Sequence, residues 1–324
     1  MKKLVSLLLA ALLALSSLTC LAESAYPVTI ETFNYAKERV ETTYEKAPER
    51  VVVVYQNMIE IMLKLGLADR IVCAFGLDEE ITGELAEEFA KIPYYENRPS
   101  KEELIALEPD AILGWYSFFA DDRAGDVDFW IERGCNTYMA LDSGCLSAAN
   151  GGQTIQCEMQ DILNIGAIFD KNEEAQAIVN EMQAEIDKVS AYVTESGIEP
   201  LSVAILEVEG EGDYRVYGTT TIGGNLAENV GATLAVGAED SNNIGNEDLI
   251  AADPDKIFAI WFEGYITPEE AVASFMENPA LASLKAVQNG DVYALNLTQV
   301  YCPGLHLLDG IHTFATALYP ALYE

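Results

Sequence analysis

One stretch of the sequence occurs twice, with Ile105 of the first copy matching Ile250 of the second. Residues 102–115 read EELIALEPDAILGW and residues 247–261 read EDLIAADPDKIFAIW. In each copy we predict a short amphipathic helix that ends at the proline, because the proline ring disfavours the right-handed α conformation of the preceding residue. The apolar run that follows is short and bounded, as is typical of a buried parallel strand. The repeated unit therefore predicts two similar α/β lobes.

The first residues have the pattern of an export signal. Lys2 and Lys3 precede an apolar segment from Leu4 to Leu15, which is short for a membrane-spanning helix, and small residues follow. We predict a signal peptide over residues 1–22. Lipid attachment at Cys20 is the alternative to plain export, and the sequence favours neither. The mature chain is expected outside the cytoplasm, either periplasmic or tethered to the cell surface as a lipoprotein.

The chain is strongly acidic, with 53 Asp and Glu residues against 18 Lys and Arg residues and a formal net charge of −35. A field of this sign repels phosphate groups, which argues against nucleic acid and anionic lipid surfaces as partners. Half of the residues are apolar, which is enough for packed lobes, and a length of 324 residues suits two domains.

Strand and helix patterns alternate in both halves, which predicts α/β lobes with parallel sheets. Between them, the run from Asn172 to Val193 has apolar residues at helical spacing and predicts one long helix. We expect an N-terminal lobe (N-lobe) over residues 26–165, a linking helix region over 166–198 and a C-terminal lobe (C-lobe) over 199–324. The predicted strands are 50–55, 70–75, 111–115, 134–140, 201–208, 214–217, 257–261 and 292–295.

Six features follow one another from about residue 47 to the C-terminus: APERVVVVYQNMIEIMLKLGLADRIV, PSKEELIALEPDAIL, the long helix, NLAENVGATLAV, EDLIAADPDKIFAI and LASLKAVQNGDVYALN. In this order they resemble the binding proteins of ABC importers for iron complexes, haem and vitamin B12. The resemblance implies two Rossmann-like lobes joined by one long helix, with a ligand cleft between them. It also implies a metal chelate as ligand, with no covalently bound cofactor, and the permease dimer of an ABC importer as partner of a monomeric chain.

The same resemblance implies a role for two acidic residues. In this family, one carboxylate on each lobe contacts arginines of the permease. The matching residue of the N-lobe is Glu102, with the adjacent Glu103 as an alternative for the same role, and that of the C-lobe is Glu228. A carboxylate can bind an arginine through two hydrogen bonds, so glutamate suits docking. The alternative is that each is an ordinary acid on a solvated face.

Ligand-binding candidates follow from the strand ends, because the carboxyl ends of strands face the crevice in open α/β sheets. Aromatic side chains there suit a large, flat or apolar chelate, since they give contact area with little loss of entropy. Core packing is the alternative for any single one. The residues at the predicted strand ends are Tyr55, Gln56, Asn57, Phe75, Trp115, Tyr116, Phe118, Tyr214, Tyr217, Trp261, Phe262, Thr298 and Tyr301. The predicted ligand-binding set is Tyr55, Asn57, Phe75, Trp115, Tyr116, Tyr217, Trp261, Tyr301 and His306.

His306 ends the segment PGLH, which in relatives often reads PGPR with an arginine that reaches the ligand. Residues 286–324 contain no Lys or Arg, and a strongly anionic catecholate siderophore would need such cations. We therefore expect a less anionic ferric siderophore, with haem or a corrinoid as alternatives. His306 is a candidate metal ligand or hydrogen-bond donor, and a role without ligand contact is equally compatible with the sequence.

The remaining sequence features give a candidate disulfide and argue against other classes of protein. Cys145 and Cys157 flank a Gly- and Ser-rich loop and form the predicted pair. Two histidines do not suit a zinc or manganese site, so no site for a bare metal ion is predicted. The chain has none of the common enzyme motifs, such as G-x-S-x-G or the P-loop. We expect a non-enzyme; an exported metal-dependent enzyme or an adhesion module is the alternative from another class.

Overall fold

The computed structural model describes residues 25–146, 150–237 and 243–324. The predicted signal peptide at residues 1–22 and the lipidation candidate Cys20 lie outside the described residues. The structure has two α/β lobes and one long helix between them, which confirms the predicted fold class. Among the described residues, no helix combines the length and apolar character that crossing a membrane requires.

The N-lobe is built on a parallel sheet with the strand order β4–β3–β5–β6. Alternate residues of the central strand β3 (Val51–Val54) belong to two apolar clusters, so both faces of the sheet are covered. The other strands are β4 (Ile71–Phe75), β5 (Ala111–Gly114) and β6 (Asn136–Met139). The helices are α1 (Gln56–Lys64), α2 (Ala86–Phe89), α3 (Lys101–Ala106), α4 (Val127–Ile131), α5 (Leu141–Gly144) and α6 (Ile155–Ile168).

An antiparallel hairpin that the sequence analysis did not predict precedes this sheet. β1 (Val28–Phe33) pairs with β2 (Arg39–Tyr44) along their whole length. Thr32 attaches the hairpin to the lobe, because its Oγ1 donates to the carbonyl oxygen of Met139 (2.7 Å) and accepts from the Met139 amide (2.9 Å). The hairpin therefore extends the N-lobe beside β6.

The linking helix α7 (Asn172–Ser196) agrees with the predicted long helix. It ends where Gly197 adopts a left-handed conformation with φ of 61°, a common helix terminus. Its buried residues recur at intervals of three and four and form one apolar stripe: Ala175, Val179, Met182, Ile186 and Val189. The helix lies inside the predicted linking region 166–198. The outer limits of the two lobes stay predictions.

The C-lobe sheet is mixed, so the prediction of a purely parallel sheet is wrong for this lobe. β7 (Ser202–Gly210) is joined to β8 (Asp213–Val216) by Glu211 and Gly212 alone, and a two-residue connection requires an antiparallel pair. Gly212 has φ of 73°, which suits such a turn. The remaining strands of this sheet are β9 (Thr233–Leu234), β10 (Asn243–Gly245), β11 (Lys256–Trp261) and β12 (Val292–Asn296). The strand order is β10–β8–β7–β11–β12, and β9 also pairs with β7.

Helices on the C-lobe sheet complete the fold. They are α8 (Ile222–Asn229), α9 (Asn246–Ala252), α10 (Pro268–Met276), α11 (Lys285–Asn289) and α12 (Leu307–Leu318). Short 3-10 helices lie at Ala68–Arg70, Gly83–Leu85, Tyr116–Phe119, Pro279–Leu281, Leu297–Gln299, Gly304–His306 and Pro320–Leu322.

The repeated sequence forms the same unit in both lobes. α3 leads into β5 and α9 leads into β11, and the residues before the two prolines, Glu108 and Asp253, have left-handed φ values of 47° and 42°. The aspartate after each proline binds the strand beside it. The carboxylate of Asp110 accepts from the amide of Arg50 (2.8 Å), and that of Asp255 accepts from the amide of Ser202 (2.9 Å). The Pro-Asp pair thus fixes each helix-to-strand turn to the neighbouring strand of its lobe.

The predicted disulfide is not formed in this structure. Cys145 and Cys157 are free thiols whose Sγ atoms lie 3.8 Å apart, whereas a disulfide bond is about 2.05 Å long. The two side chains are nevertheless neighbours, as the sequence analysis expected.

Candidate ligand-binding cleft

Two neighbouring cavities between the lobes share Tyr301 in their linings. The first has a volume of about 160 Å³ and is lined by Tyr55, Gln56, Asn57, Asp78, Trp115, Ser117, Tyr301 and Cys302. The second has a volume of about 180 Å³ and is lined by Tyr116, Leu146, Gln153, Arg215, Val216, Tyr217, Thr220, Thr221 and Tyr301. We call these two cavities together the cleft. Six of the predicted ligand-binding residues lie in it: Tyr55, Asn57, Trp115, Tyr116, Tyr217 and Tyr301.

The parallel strands of the N-lobe bring Tyr55 and Trp115 together as the general rule for open sheets requires, because Tyr55 follows β3 and Trp115 follows β5, each at the carboxyl end of its strand. Tyr217 follows β8, which is antiparallel to β7, so this rule does not account for its place at the cleft. Tyr55 has φ of 76°, a costly conformation for a residue with a side chain. The amide of Tyr55 donates a hydrogen bond to the carbonyl oxygen of Phe75 (3.0 Å), and the Tyr55 hydroxyl lies 3.3 Å from Oγ of Ser117. Strained residues of this kind concentrate at binding sites.

An aromatic contact crosses the cleft. The rings of Trp115 in the N-lobe and Tyr301 in the C-lobe have centroids 5.9 Å apart. Each cavity is smaller than the roughly 300 Å³ at which typical ligand pockets begin. A chelate therefore needs Tyr301 to move from Trp115, or the lobes to rock apart on α7.

Charges of both signs lie at the cleft. Arg215 lines the second cavity; its Nη1 lies 3.6 Å from Oε2 of Glu207, which also accepts from the hydroxyl of Tyr217 (2.7 Å). Asp78 lines the first cavity, where burial and the charge of Glu79 raise the pKa of its carboxyl. Arg215 lies outside residues 286–324, the segment whose lack of cations favoured a less anionic ligand. The alternation of buried Tyr214 and Val216 with Arg215 was the signal that β8 turns this side chain to the other face.

Several strand-end aromatics are core residues instead. Phe75 is buried against Phe118, with ring centroids 5.4 Å apart, and both belong to an N-lobe apolar cluster. Tyr214 is buried and stacks on Phe275 in the C-lobe (5.1 Å). Tyr214 and Phe275 belong to an apolar cluster of the C-lobe, and Trp261 packs against this cluster. The structure thus places Trp115 at the cleft and its repeat counterpart Trp261 beside the C-lobe core, so the two tryptophans of the repeat do not lie at matching sites.

His306 lies in a salt-bridge cluster at a different junction. Its Nε2 is 3.0 Å from Oε2 of Glu60 and 3.7 Å from Oε1 of Glu79, and its Nδ1 is 3.2 Å from Oδ2 of Asp309. Burial by itself lowers the pKa of His306, but hydrogen bonds to Asp309 and Glu60 and the charges of Glu60 and Glu79 raise that pKa to about 10. Both ring nitrogens are therefore protonated at neutral pH. A protonated imidazole has no free lone pair, so in this arrangement His306 acts as a hydrogen-bond donor, which is one of the alternatives that the sequence left open.

The same junction connects the lobes through further hydrogen bonds. The Glu79 carboxylate of the N-lobe accepts from Asn296 Nδ2 (2.9 Å) and from Thr298 Oγ1 (3.2 Å) of the C-lobe. The buried Glu158 carboxylate accepts from the Gly304 amide (2.8 Å). An open cavity of about 660 Å³ lies at this junction beside α7, and seven of the 17 residues that line it are Asp or Glu.

The predicted docking residues lie on the surface of each lobe. Glu102 and Glu228 are both exposed. Glu103 caps the start of its own helix, since its carboxylate accepts hydrogen bonds from the amide (2.8 Å) and hydroxyl (2.8 Å) of Ser100. These hydrogen bonds lower the pKa of the Glu103 carboxyl. Glu103 is therefore a poor substitute for Glu102. Within the described residues, no group of three or more His, Cys, Asp or Glu side chains is arranged to hold a metal ion.

The comparison with protein families decides the class. The family model for periplasmic binding proteins matches residues 51–297, most of the chain. The chain belongs to the periplasmic binding protein family. It is a solute-binding protein and not an enzyme, and membership implies a small-molecule ligand, a membrane permease as partner and a place outside the cytoplasm.

Solved and curated proteins agree with this family assignment. A periplasmic binding protein from Veillonella parvula has a similar structure, with a TM-score of 0.83, 34% identity and coverage of 92% of this chain and 93% of that chain. An ABC-type Fe3+-hydroxamate transport protein from Saccharomonospora viridis shares the fold, with a TM-score of 0.69, 21% identity and coverage of 91% and 99%. The ferric-anguibactin-binding protein FatB of Vibrio anguillarum is 21% identical over 262 residues, 78% of this chain and 76% of FatB.

Proposed function

We propose that this binding protein carries a ferric siderophore of low net charge and delivers it to the permease dimer of an ABC importer. The observation that supports the proposal is the composition of the cleft. Aromatic residues from both lobes, Trp115 and Tyr116 on one side and Tyr217 and Tyr301 on the other, offer flat apolar surfaces to a chelate. The ferric-anguibactin and Fe3+-hydroxamate proteins named above are similar proteins whose names state a ligand of this class.

The charge balance of the cleft supports a chelate that is close to neutral. Arg215 supplies one cation to the cavity lining, and Glu207 offsets part of that charge at 3.6 Å. Asp78 lines the other cavity with a carboxyl whose pKa is raised by burial. A tris-catecholate with several negative charges would need more cations than this cleft provides. The mature chain is proposed to act as a monomer, with the chelate as cargo and no resident cofactor.

A tryptophan-fluorescence titration tests the proposal, because Trp115 lies in the cleft. Ferric hydroxamates, ferric catecholates, haem and cobalamins are added separately to the purified mature chain. We expect binding of a hydroxamate or another low-charge ferric chelate with Kd below roughly 10 μM, which corresponds to a standard binding free energy of about −7 kcal/mol or lower. Tighter binding of haem or a cobalamin would transfer the assignment to that chelate. Failure of all four classes would refute a chelate as the ligand.

Docking to the permease is tested separately by Glu102→Ala combined with Glu228→Ala. Both residues are exposed and lie apart from the cleft lining, so we expect ligand affinity to change by less than about 2-fold while uptake into cells falls at least about 10-fold. Glu247→Ala is the matched control, because Glu247 is the exposed repeat counterpart of Glu102. Normal uptake by the double variant, or an equal loss in the control, would contradict the docking role.

A further inference from the structure

Cys145 and Cys157 form a thiol pair beside the cleft. Cys157 lies in the first turn of the 14-residue helix α6, and Cys145 follows α5. Thr154 caps this turn: its Oγ1 accepts from the Cys157 amide (3.3 Å) and lies 3.3 Å from the Cys157 Sγ. The Sγ atoms of the two cysteines are 3.8 Å apart. This separation is close to van der Waals contact between two sulfur atoms, and a disulfide bond is about 2.05 Å long.

The surroundings favour the thiolate form of one sulfur of the pair and the thiol form of the other. The hydrogen bond between the two sulfurs is the main cause that lowers the pKa of Cys157, to about 6; the contacts with Thr154 and the charge of Arg39 act in the same direction against burial. The same hydrogen bond, burial and the charges of Cys157 and Asp142 raise the pKa of Cys145. A helix N-terminus adds to the stabilisation of the Cys157 thiolate.

The other cysteines of the described residues have raised thiol pKa values, in contrast to Cys157. Burial raises the pKa of Cys73 to about 12 and that of Cys135 to about 12. Burial and nearby carboxylates, including Asp142, raise the pKa of Cys302. Reactivity toward disulfides follows the thiolate, so Cys157 is the expected point of attack and Cys145 is its nearest resolving thiol.

The thiol pair adjoins a contact between the lobes. The amide of Gln153 donates to the carbonyl oxygen of Thr220 (3.0 Å), and the amide of Ile155 donates to Oδ1 of Asn225 (3.0 Å). Gln153 also lines the second cavity and donates to the buried carboxyl of Asp142 (2.9 Å). A bond between Cys145 and Cys157 would therefore fix the start of α6 to α5 next to the cleft.

We propose that Cys145 and Cys157 form a reversible disulfide through exchange with a low-molecular-weight disulfide outside the cytoplasm. The Cys157 thiolate attacks one sulfur of the small disulfide, forms a mixed disulfide and releases one thiolate. That thiolate takes the proton of Cys145, whose sulfur then attacks the Cys157 sulfur and displaces the second small thiolate. The two protein thiols are oxidised while one small disulfide is reduced to two thiols.

Alkylation and mass spectrometry of the reduced mature chain test this proposal. With limiting iodoacetamide at pH 7, we expect Cys157 to be alkylated at least about 10-fold faster than Cys302, because the pKa of the Cys157 thiol is lowered and that of the Cys302 thiol is raised. After incubation with oxidised glutathione, the wild-type chain is expected to lose two reactive thiols and to yield a cross-linked peptide of Cys145 and Cys157. Removal of the oxidant and addition of a small thiol should restore both thiols.

Single variants separate the two steps. Cys145→Ser should accumulate a stable mixed disulfide at Cys157, whereas Cys157→Ser should form neither product; Cys302→Ser should behave as the wild type in this exchange. The wild-type experiment stands even where a variant fails to fold. Faster alkylation of another described cysteine, a persistent mixed disulfide in the wild type or absence of the cross-linked peptide would each overturn the proposal.

Discussion

Tyr301→Ala is expected to weaken binding of the ferric chelate by about 30- to 300-fold. Tyr301 lines both cavities of the cleft and contacts Trp115 of the opposite lobe at 5.9 Å between ring centroids. An aromatic side chain at the centre of a binding site contributes about 2 to 3.5 kcal/mol, which corresponds to this range of affinities. The measurement is the tryptophan-fluorescence titration, repeated by calorimetry because the variant also changes the surroundings of Trp115.

Two control variants show which property of Tyr301 accounts for the expected loss of chelate affinity. Tyr301→Phe keeps the ring and removes the hydroxyl, so an affinity close to that of the wild type would assign the effect to the aromatic surface. Tyr265→Ala removes a C-lobe tyrosine that is 55% exposed and lies in the loop after β11, and it should leave affinity unchanged. Unchanged affinity in Tyr301→Ala, or an equal loss in Tyr265→Ala, would show that the ligand binds elsewhere.

His306→Gln is expected to lower the free energy of unfolding by about 2–4 kcal/mol at neutral pH. The substitution leaves Glu60, whose side chain is only 5% exposed, without its cationic partner, and removing one member of a buried pair costs about this much. The measurement is chemical denaturation of the ligand-free mature chain. His312→Gln is the matched control, because His312 is 46% exposed and lies 3.6 Å from Glu185; we expect a change below about 0.5 kcal/mol there.

The pH dependence of this effect has a definite sign. The pKa of His306 is about 10 in the folded protein, above the unfolded value near 6.5, so the proton is bound more tightly in the folded state. The stabilisation by His306 is complete below pH 6.5 and is lost as the pH rises toward 10. The difference in unfolding free energy between wild type and His306→Gln should therefore shrink from pH 6 to pH 10. A difference that stays constant or grows over this range would contradict the salt-bridge cluster.

Local patterns in the sequence were sufficient for much of the architecture. The β-branched run at Val51–Val54, the apolar stripe of α7 and the repeated Pro-Asp unit predicted their elements, because each pattern is set by neighbours a few positions apart. The hairpin of β1 and β2 was missed. The parallel arrangement assumed for β7 and β8 was wrong because the two-residue turn at Glu211 and Gly212 was not weighed as a hairpin signal.

Site residues were harder to predict, because a strand end fixes where a residue lies but not which way its side chain points. Tyr55, Trp115 and Tyr301 lie at the cleft, while Phe75 and Trp261 pack into or against the lobe cores. The environment of His306 depends on Glu60 and Glu79, which lie more than 200 positions away in the sequence. No local pattern reports such a contact.

Native mass spectrometry of the mature chain with a ferric hydroxamate, the same siderophore without iron, and free ferric ion tests the central claim most directly. Each is supplied at roughly 10 μM, where a carrier with useful affinity is substantially occupied. The cleft described here predicts a one-to-one complex with the iron-loaded chelate, strongly reduced in Tyr301→Ala and retained in Tyr265→Ala. Binding of the bare ion alone, or an undiminished complex in Tyr301→Ala, would contradict a chelate held between the lobes.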